Sequence, residues 1–186
     1  MAYYSDKILH TLGFKYIGKN VKISTNASIY NCDKISINDN SRIDDFCVIS
    51  GKIKIGKNVH ITPMCLIAGG EKGIILKDYT TIAYAVKIFT QNDDYFGMSM
   101  TNSTIPKQYK NELKQAIRIG KYSIIGAGSI IMPGVHLKKG TSIGAMSLVT
   151  KNTKSWSIYI GSPAKKIKNR SKYLLKLEKS YILDTQ

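Results

Sequence analysis

Hydrophobic positions along this chain follow neither the 3.6-residue period of a helix nor the two-residue alternation of a strand. In IIGAGSIIMPGVHLKKGTSIGAMSLV, residues 124–149, an aliphatic side chain returns every sixth position: Ile125, Ile131, Leu137, Ile143 and Val149. Read backwards, the register takes in Ile119, then Ile88, Ile82 and Leu76. It continues through Ile67, Ile61, Ile55, Ile49, Ile43 and Ile37, and then Ile29, Ile23 and Ile17. All eighteen positions are aliphatic: fifteen Ile, two Leu and one Val.

The fourth residue after each register position is Ala, Ser, Cys, Thr or Val in fourteen cases, with Asp33, Ile53, Glu71 and Asn92 as exceptions. A short strand followed by a tight corner satisfies both rules. The register residue points into a narrow core, and the small residue fits beside it where the chain bends. Three hexapeptides then make one triangular coil, and parallel strands of successive coils pair about 4.8 Å apart. One coil buries little alone, so neighbours must stack to close the core.

The interruptions follow the same geometry. Two extra residues follow Ile29, three follow Ile67 and twenty-five follow Ile88, in each case after the third hexapeptide of a coil. Every insertion is therefore expected on one edge of the prism. The pattern predicts an all-β protein of six coils, beginning at Ile17, Ile37, Ile55, Leu76, Ile119 and Leu137. An N-terminal segment (1–16) precedes a β-helix domain (17–154) with a long loop at 92–118, and a C-terminal cap and helix follow (155–186). In the tail SKYLLKLEKSYIL, an N-cap at Ser171 and apolar Leu174, Leu177 and Tyr181 predict an amphipathic helix over the open end or a neighbour.

The repeats of IGKYSIIGAGSIIMPGVHL and the closing GSPAKKIKNR resemble the hexapeptide-repeat acyltransferases, and KIFTQNDDYFGMSMTNSTIP resembles the loop of the branch that acylates sugars. The resemblance covers about residues 17–175. It implies a left-handed parallel β-helix, a homotrimer with sites between subunits, and an acetyltransferase. Such an enzyme moves acetyl from acetyl-CoA to a hydroxyl or amino group of a sugar, in a nucleotide-sugar or a surface polysaccharide.

Acyl transfer needs a held thioester, a stabilised oxyanion and a proton acceptor. Loops beyond about 12–15 residues inside a compact domain are usually functional. The 92–118 loop offers Asn92, Asp93 and Asp94 beside Tyr95, Phe96 and Tyr109, polar acceptors and aromatic faces that suit a sugar. Relatives place a histidine base near the start of this loop; this chain has Gln91, Asn92, Asp93 and Asp94 there. The proton acceptor is then His60, beside Thr62 at a level where relatives contact substrate; His136, expected one rung from Asp93; a carboxylate, Asp93 or Asp94; or water. The resemblance places the CoA groove at Gly126, Ala127, Gly144 and Ala145, and the adenine end at Gly161, Pro163 and Ala164. Lys165, Lys166 and Lys168 would face its phosphates. Trp156 packs on the cofactor or caps the prism.

Composition narrows the alternatives. The net charge is +16, but only three of the 28 basic residues are Arg and the lysines are spread along the chain. That reads as a solvated surface able to attract a phosphate-bearing ligand, without the arginine and aromatic clustering of a specific nucleic-acid reader. The three histidines are too few and too scattered for a metal hydratase, and no metal is expected. Cys47 and Cys65 occupy small-residue slots, which marks them as structural. Without a signal segment or membrane span, the expectation is the cytoplasm. A non-catalytic β-helix scaffold is the competing reading.

Overall fold

The structure, a computed structural model, describes residues 2–184. Its strands form three parallel sheets, one for each hexapeptide of the coil. The first face stacks Tyr16–Ile17, Ile35–Ile37, Ile53–Ile55, Ile74–Leu76, Ile117–Ile119 and His136–Leu137. The second stacks Lys22–Ile23, Arg42–Ile43, His60–Ile61, Thr81–Ile82, Ile124–Ile125 and Ser142–Ile143. The third stacks Ser28–Tyr30, Val48–Ser50, Leu66–Ala68, Lys87–Phe89, Ile130–Ile131 and Leu148–Val149. Register residues oppose register residues, as Ile55 opposes Leu76 and Leu76 opposes Ile119. The chain is thus a parallel β-helix of six full coils.

Of the eighteen register side chains sixteen are buried; Ile17 and Ile29, in the first coil, are half-buried. Their outer side has no coil beneath it. A short helix, α1 (Asp6–Thr11), partly covers that end with buried Leu9. All fourteen small residues at the fourth position are buried. The exceptions have a single cause. On the edge between the third and first faces the inward slot is filled by Ile35, Ile53, Ile74 and Ile117, which lie in register and are at most 1% exposed. First-face strands there begin two residues before the register position, so both residues point inward. The insertions enter just before this slot, which leaves Asp33 and Glu71 exposed and Asn92 half-buried.

Most corners bend through a left-handed residue. At the edge between the first and second faces these are Asn20, Asn40 and Asn58, with φ of 55°, 57° and 54°, then Tyr79 and Tyr122, with φ of 55° and 64°. Asn adopts this region readily, whereas for Tyr it is uncommon. At this edge the rings form an aromatic stack: Tyr79 on Tyr122 at 5.6 Å and Tyr122 on Trp156 at 6.0 Å. Gly140 lies under Trp156, where a Cβ would come within 2.5 Å of the indole.

The C-terminal helix, α2 (Leu174–Asp184), lies along this edge and not across the open end. The Tyr122 hydroxyl donates to Glu178, Lys121 pairs with Glu178 at 3.0 Å, and Tyr181 meets Tyr79 edge-on. Trp156 therefore belongs to the ladder that seats α2. The boundary expected at 154 falls inside a sheet, because Ser157–Ile160 pairs parallel to Ser142–Ile143 and Lys165–Asn169 pairs antiparallel to it. The second face thus gains the start of a seventh coil.

Candidate active site

Residues just before the register position on the second face form its outer column, where Arg42, His60 and Thr81 are adjacent rungs. The neighbouring Asp44 is buried, its side chain 2% exposed, yet it gathers three partners. Arg42 Nε donates to Oδ1 at 2.6 Å, Tyr3 Oη to Oδ1 at 3.1 Å, and His60 Nε2 lies 2.8 Å from Oδ2. Burial pushes the Asp44 carboxyl up, but the hydrogen bonds from Arg42 and then His60 outweigh it and hold the group below its ordinary value. An ionised carboxylate only accepts, so His60 carries a proton on Nε2 toward it. Asp44 was missed by the sequence reading. Its signal was faint: an acid one residue past the register, one rung below His60.

Thr62 stands at the matching position one coil up. It is buried, and its hydroxyl donates to the Ile82 carbonyl at 3.0 Å. That proton is committed to the prism, which leaves the hydroxyl oxygen only acceptor capacity.

The 92–118 excursion is a built hairpin. Gln91–Asn92 pairs antiparallel with Leu113–Lys114, and Gln115 N–H closes its root on the Thr90 carbonyl at 2.9 Å. Asp94 accepts from Phe96 N–H at 2.8 Å and Ser99 Oγ at 3.1 Å, and the backbone bond leads in holding its carboxyl below the ordinary range. Asp93 accepts from Asn102 N–H at 3.2 Å. Glu112 sits between Lys110 at 2.8 Å and Lys114 at 3.1 Å, which lower its carboxyl to about 2. Asn92, Asp93, Asp94, Tyr95, Phe96 and Glu112 line a cavity of about 480 Å³. Tyr109 lies on a 3₁₀ turn (Lys107–Tyr109) and is not among its walls.

The structure groups Asn92, Asp93, Asp94 and Tyr95 at one place but does not bring His60 to them. The hairpin leaves the edge between the third and first faces, and that edge is opposite the second face, which carries His60. His136 is also displaced from its expected neighbour. It lies on the first face opposite Arg118, and its backbone N–H donates to Asn152 Oδ1 at 2.7 Å. It has no contact with Asp93, because the hairpin carries the acids off the prism.

The expected cofactor residues are contiguous. Gly126, Ala127, Gly144 and Ala145 sit on successive coils at the edge between the second and third faces. A Cβ on Gly126 would lie 2.5 Å from Ala145 N, so coil stacking itself demands glycine there. The turn through Gly161, Pro163 and Ala164 docks on the last third-face strand: Leu148 N–H donates to the Gly161 carbonyl at 3.0 Å and Ala164 N–H to the Leu148 carbonyl at 2.8 Å. Lys165, Lys166 and Lys168 follow on an exposed strand. Bare backbone at this edge thus lies near a strand of exposed cations.

With this geometry in place, the whole-chain comparisons are decisive. A dTDP-4-amino-4,6-dideoxy-D-glucose acyltransferase from Escherichia coli is 45% identical over 181 residues, which cover 96% of this chain and 94% of the relative. The chain belongs to the hexapeptide-repeat sugar acyltransferases. Among solved structures, AntD, an N-acyltransferase from Bacillus cereus in complex with dTDP and 3-hydroxybutyryl-CoA, superposes with a TM-score of 0.97 at 42% identity, covering 98% and 97% of the two chains. A variant of AntD in complex with dTDP-4-amino-4,6-dideoxyglucose and coenzyme A gives 0.97 at 43%, covering 98% of each. No protein-family profile matches the chain. Among the described residues, no cluster of three His, Cys, Asp or Glu is placed to hold a metal ion, and no helix is long and apolar enough to cross a membrane.

Proposed function

We propose that the chain transfers an acyl group, acetyl first among the candidates, from a CoA thioester to the 4-amino group of a dTDP-4-amino-4,6-dideoxy sugar. The observation that carries this is the end-to-end match to an enzyme whose complexes contain both that nucleotide sugar and coenzyme A. The hairpin chemistry agrees. A neutral amine attacks the thioester carbonyl, a C–N bond forms, and the tetrahedral intermediate collapses with loss of the CoA thiolate. The attacking nitrogen becomes strongly acidic as the bond forms, so a carboxylate or water takes its proton, which ends on the thiol. A sugar hydroxyl would need a stronger base. Asp93 and Asp94 beside Tyr95 therefore favour an amine acceptor, with the carboxylates attracting the substrate's ammonium form before it loses its proton.

In this reading Gly126, Ala127, Gly144 and Ala145 take the pantetheine arm, and Pro163, Ala164, Lys165, Lys166 and Lys168 the adenine and phosphates. A homotrimer would set one protomer's second face, with His60, against the next protomer's hairpin, joining groups that one chain holds apart. The cytoplasm is the compartment expected for this reading.

The test is thiol release and mass analysis with dTDP-4-amino-4,6-dideoxyglucose and either acetyl-CoA or 3-hydroxybutyryl-CoA. The N-acyl product is expected. Asp93→Asn combined with Asp94→Asn should lower turnover by roughly 10²–10⁴-fold, and His60→Ala by less. Thiol release with no amide would reject the amine acceptor, and no release from any nucleotide amino sugar would favour a scaffold. A larger loss in His60→Ala than in the double variant would return the base to the second face.

A further inference from the structure

Four cations converge on the first face with no acid among them. Lys52, Lys54, Lys72 and Arg118 line a cavity of about 210 Å³ floored by Gly73, Ile75 and Ala116. Register fixes the arrangement: Lys54, Ile75 and Arg118 occupy the same outward position on three adjacent strands. Lys54 and Arg118 are therefore two rungs apart, about 9.6 Å between backbones, with the apolar Ile75 side chain between them. Lys52 closes the third side. Its aliphatic stem crosses Gly73, where a Cβ would meet Lys52 Cγ and Cδ at 3.3 Å.

Several cations elsewhere on this molecule are matched by acids, although among the described residues Lys165, Lys166 and Lys168 on their exposed strand are not. Lys57 pairs with Asp39, Lys110 and Lys114 with Glu112, Lys121 with Glu178, and Arg42 with Asp44. Among the described residues no carboxylate lies within 4.0 Å of any of the four. Glu71, the chain neighbour of Lys72, is instead 4.0 Å from Lys114. Four like charges around one concavity repel one another, and an anion inside relieves that repulsion. Lys supplies point charge and Arg a two-pronged fork, a combination suited to adjacent phosphoryl groups.

The position adds a direction. Gln115 borders the acidic hairpin cavity, and the next residue, Ala116, borders the basic one. An amino-sugar nucleotide has the same polarity, an ammonium at the sugar and two negative phosphoryl groups beside it. We infer that the Lys52, Lys54, Lys72 and Arg118 cavity is the subsite for the substrate's diphosphate, with the sugar lying toward Asp93 and Asp94. This rests on the nucleotide-sugar reading for its ligand, but the cavity can be tested without it.

The experiment measures binding of dTDP, inorganic pyrophosphate and coenzyme A by calorimetry, at fixed ionic strength, to the wild-type chain and to Lys54→Gln/Arg118→Gln. Both side chains are exposed, and an unchanged thermal midpoint will show the variant folded. Losing two charge-assisted contacts should weaken dTDP and pyrophosphate at least about tenfold, with coenzyme A held within twofold. Arg118→Lys should fall between, keeping charge but losing the fork. Unchanged dTDP and pyrophosphate binding in the double variant, or a wild-type chain that binds neither, overturns the subsite. Weakened coenzyme A with dTDP unchanged would overturn it too, assigning the cavity to the cofactor's phosphates. Loss of pyrophosphate binding in the variant, beside a wild-type chain that acylates no nucleotide amino sugar, keeps the anion subsite and rejects the substrate.

Discussion

The prism and the hairpin are built on opposite principles. In the prism one environment is repeated on coil after coil, so each register isoleucine has near-identical neighbours above and below, and side-chain burial holds the coils together. The hairpin at 91–115 occurs once, exposes Tyr95 and Phe96 almost fully, and is held by polar contacts through Asp93, Asp94, Ser99 and Glu112. Redundancy gives the scaffold rigidity; the single-copy excursion gives it chemistry. A site needs groups that the repeat forbids, and the hairpin is where the repeat stops.

The largest effect expected from this contrast lies in the core. Ile61 is fully buried between Ile43 and Ile82. Ile61→Ala should cost about 2–5 kcal/mol in urea unfolding. A loss below 1 kcal/mol would mean that the coils relax around the gap and that close packing is not what holds the prism.

An intermediate effect is expected on the aromatic edge. Gly140 combines a φ of +71° with the Trp156 ring 2.5 Å from where its Cβ would stand. Gly140→Ala should destabilise by roughly 1–3 kcal/mol. Adding Trp156→Ala should recover the steric part but not the backbone part, which thermal unfolding of both variants will separate. Equal stability of Gly140→Ala and the wild type would show that the stack moves freely and does not fix α2.

The smallest effect is local to the hairpin. The Glu112 carboxyl is lowered from an ordinary 4.5 to about 2, chiefly by Lys110 and then Lys114. A depressed carboxyl stabilises the folded hairpin above its unfolded value, and that contribution disappears as pH falls from about 4.5 through about 2. Hydrogen exchange at Leu113 and Gln115 should quicken over that window while the amide of Ile125 stays protected. Both losing protection together would join the two regions into one cooperative unit.

The same contrast explains what could be read in advance. Every register position could be found because a six-residue period survives any ignorance of tertiary contacts, and each slip marked its own edge. The third-corner isoleucines were not anticipated, since Ile53 looked like a lone exception until register placed it with Ile35, Ile74 and Ile117. Asp44 escaped because its partners Arg42 and His60 are a coil apart or two residues away, distances that carry no signal until the coils are stacked. The expected pairing of His136 with Asp93 failed because an excursion of that length folds back on itself before it meets a neighbour.

The sequence by itself determined the coil, its three faces, the edge that carries every insertion and the small residues at its corners, because each is a local rule repeated along the chain. Only the tertiary structure decided which side chains meet across coils. It placed Asp44 under Arg42 and His60, set four unpaired cations around Ile75, laid α2 along the aromatic edge, and put His60 on the face opposite the hairpin. Those pairings depend on how the coils stack, which sets residues both two and 56 positions apart against one another, and one-dimensional order does not encode it.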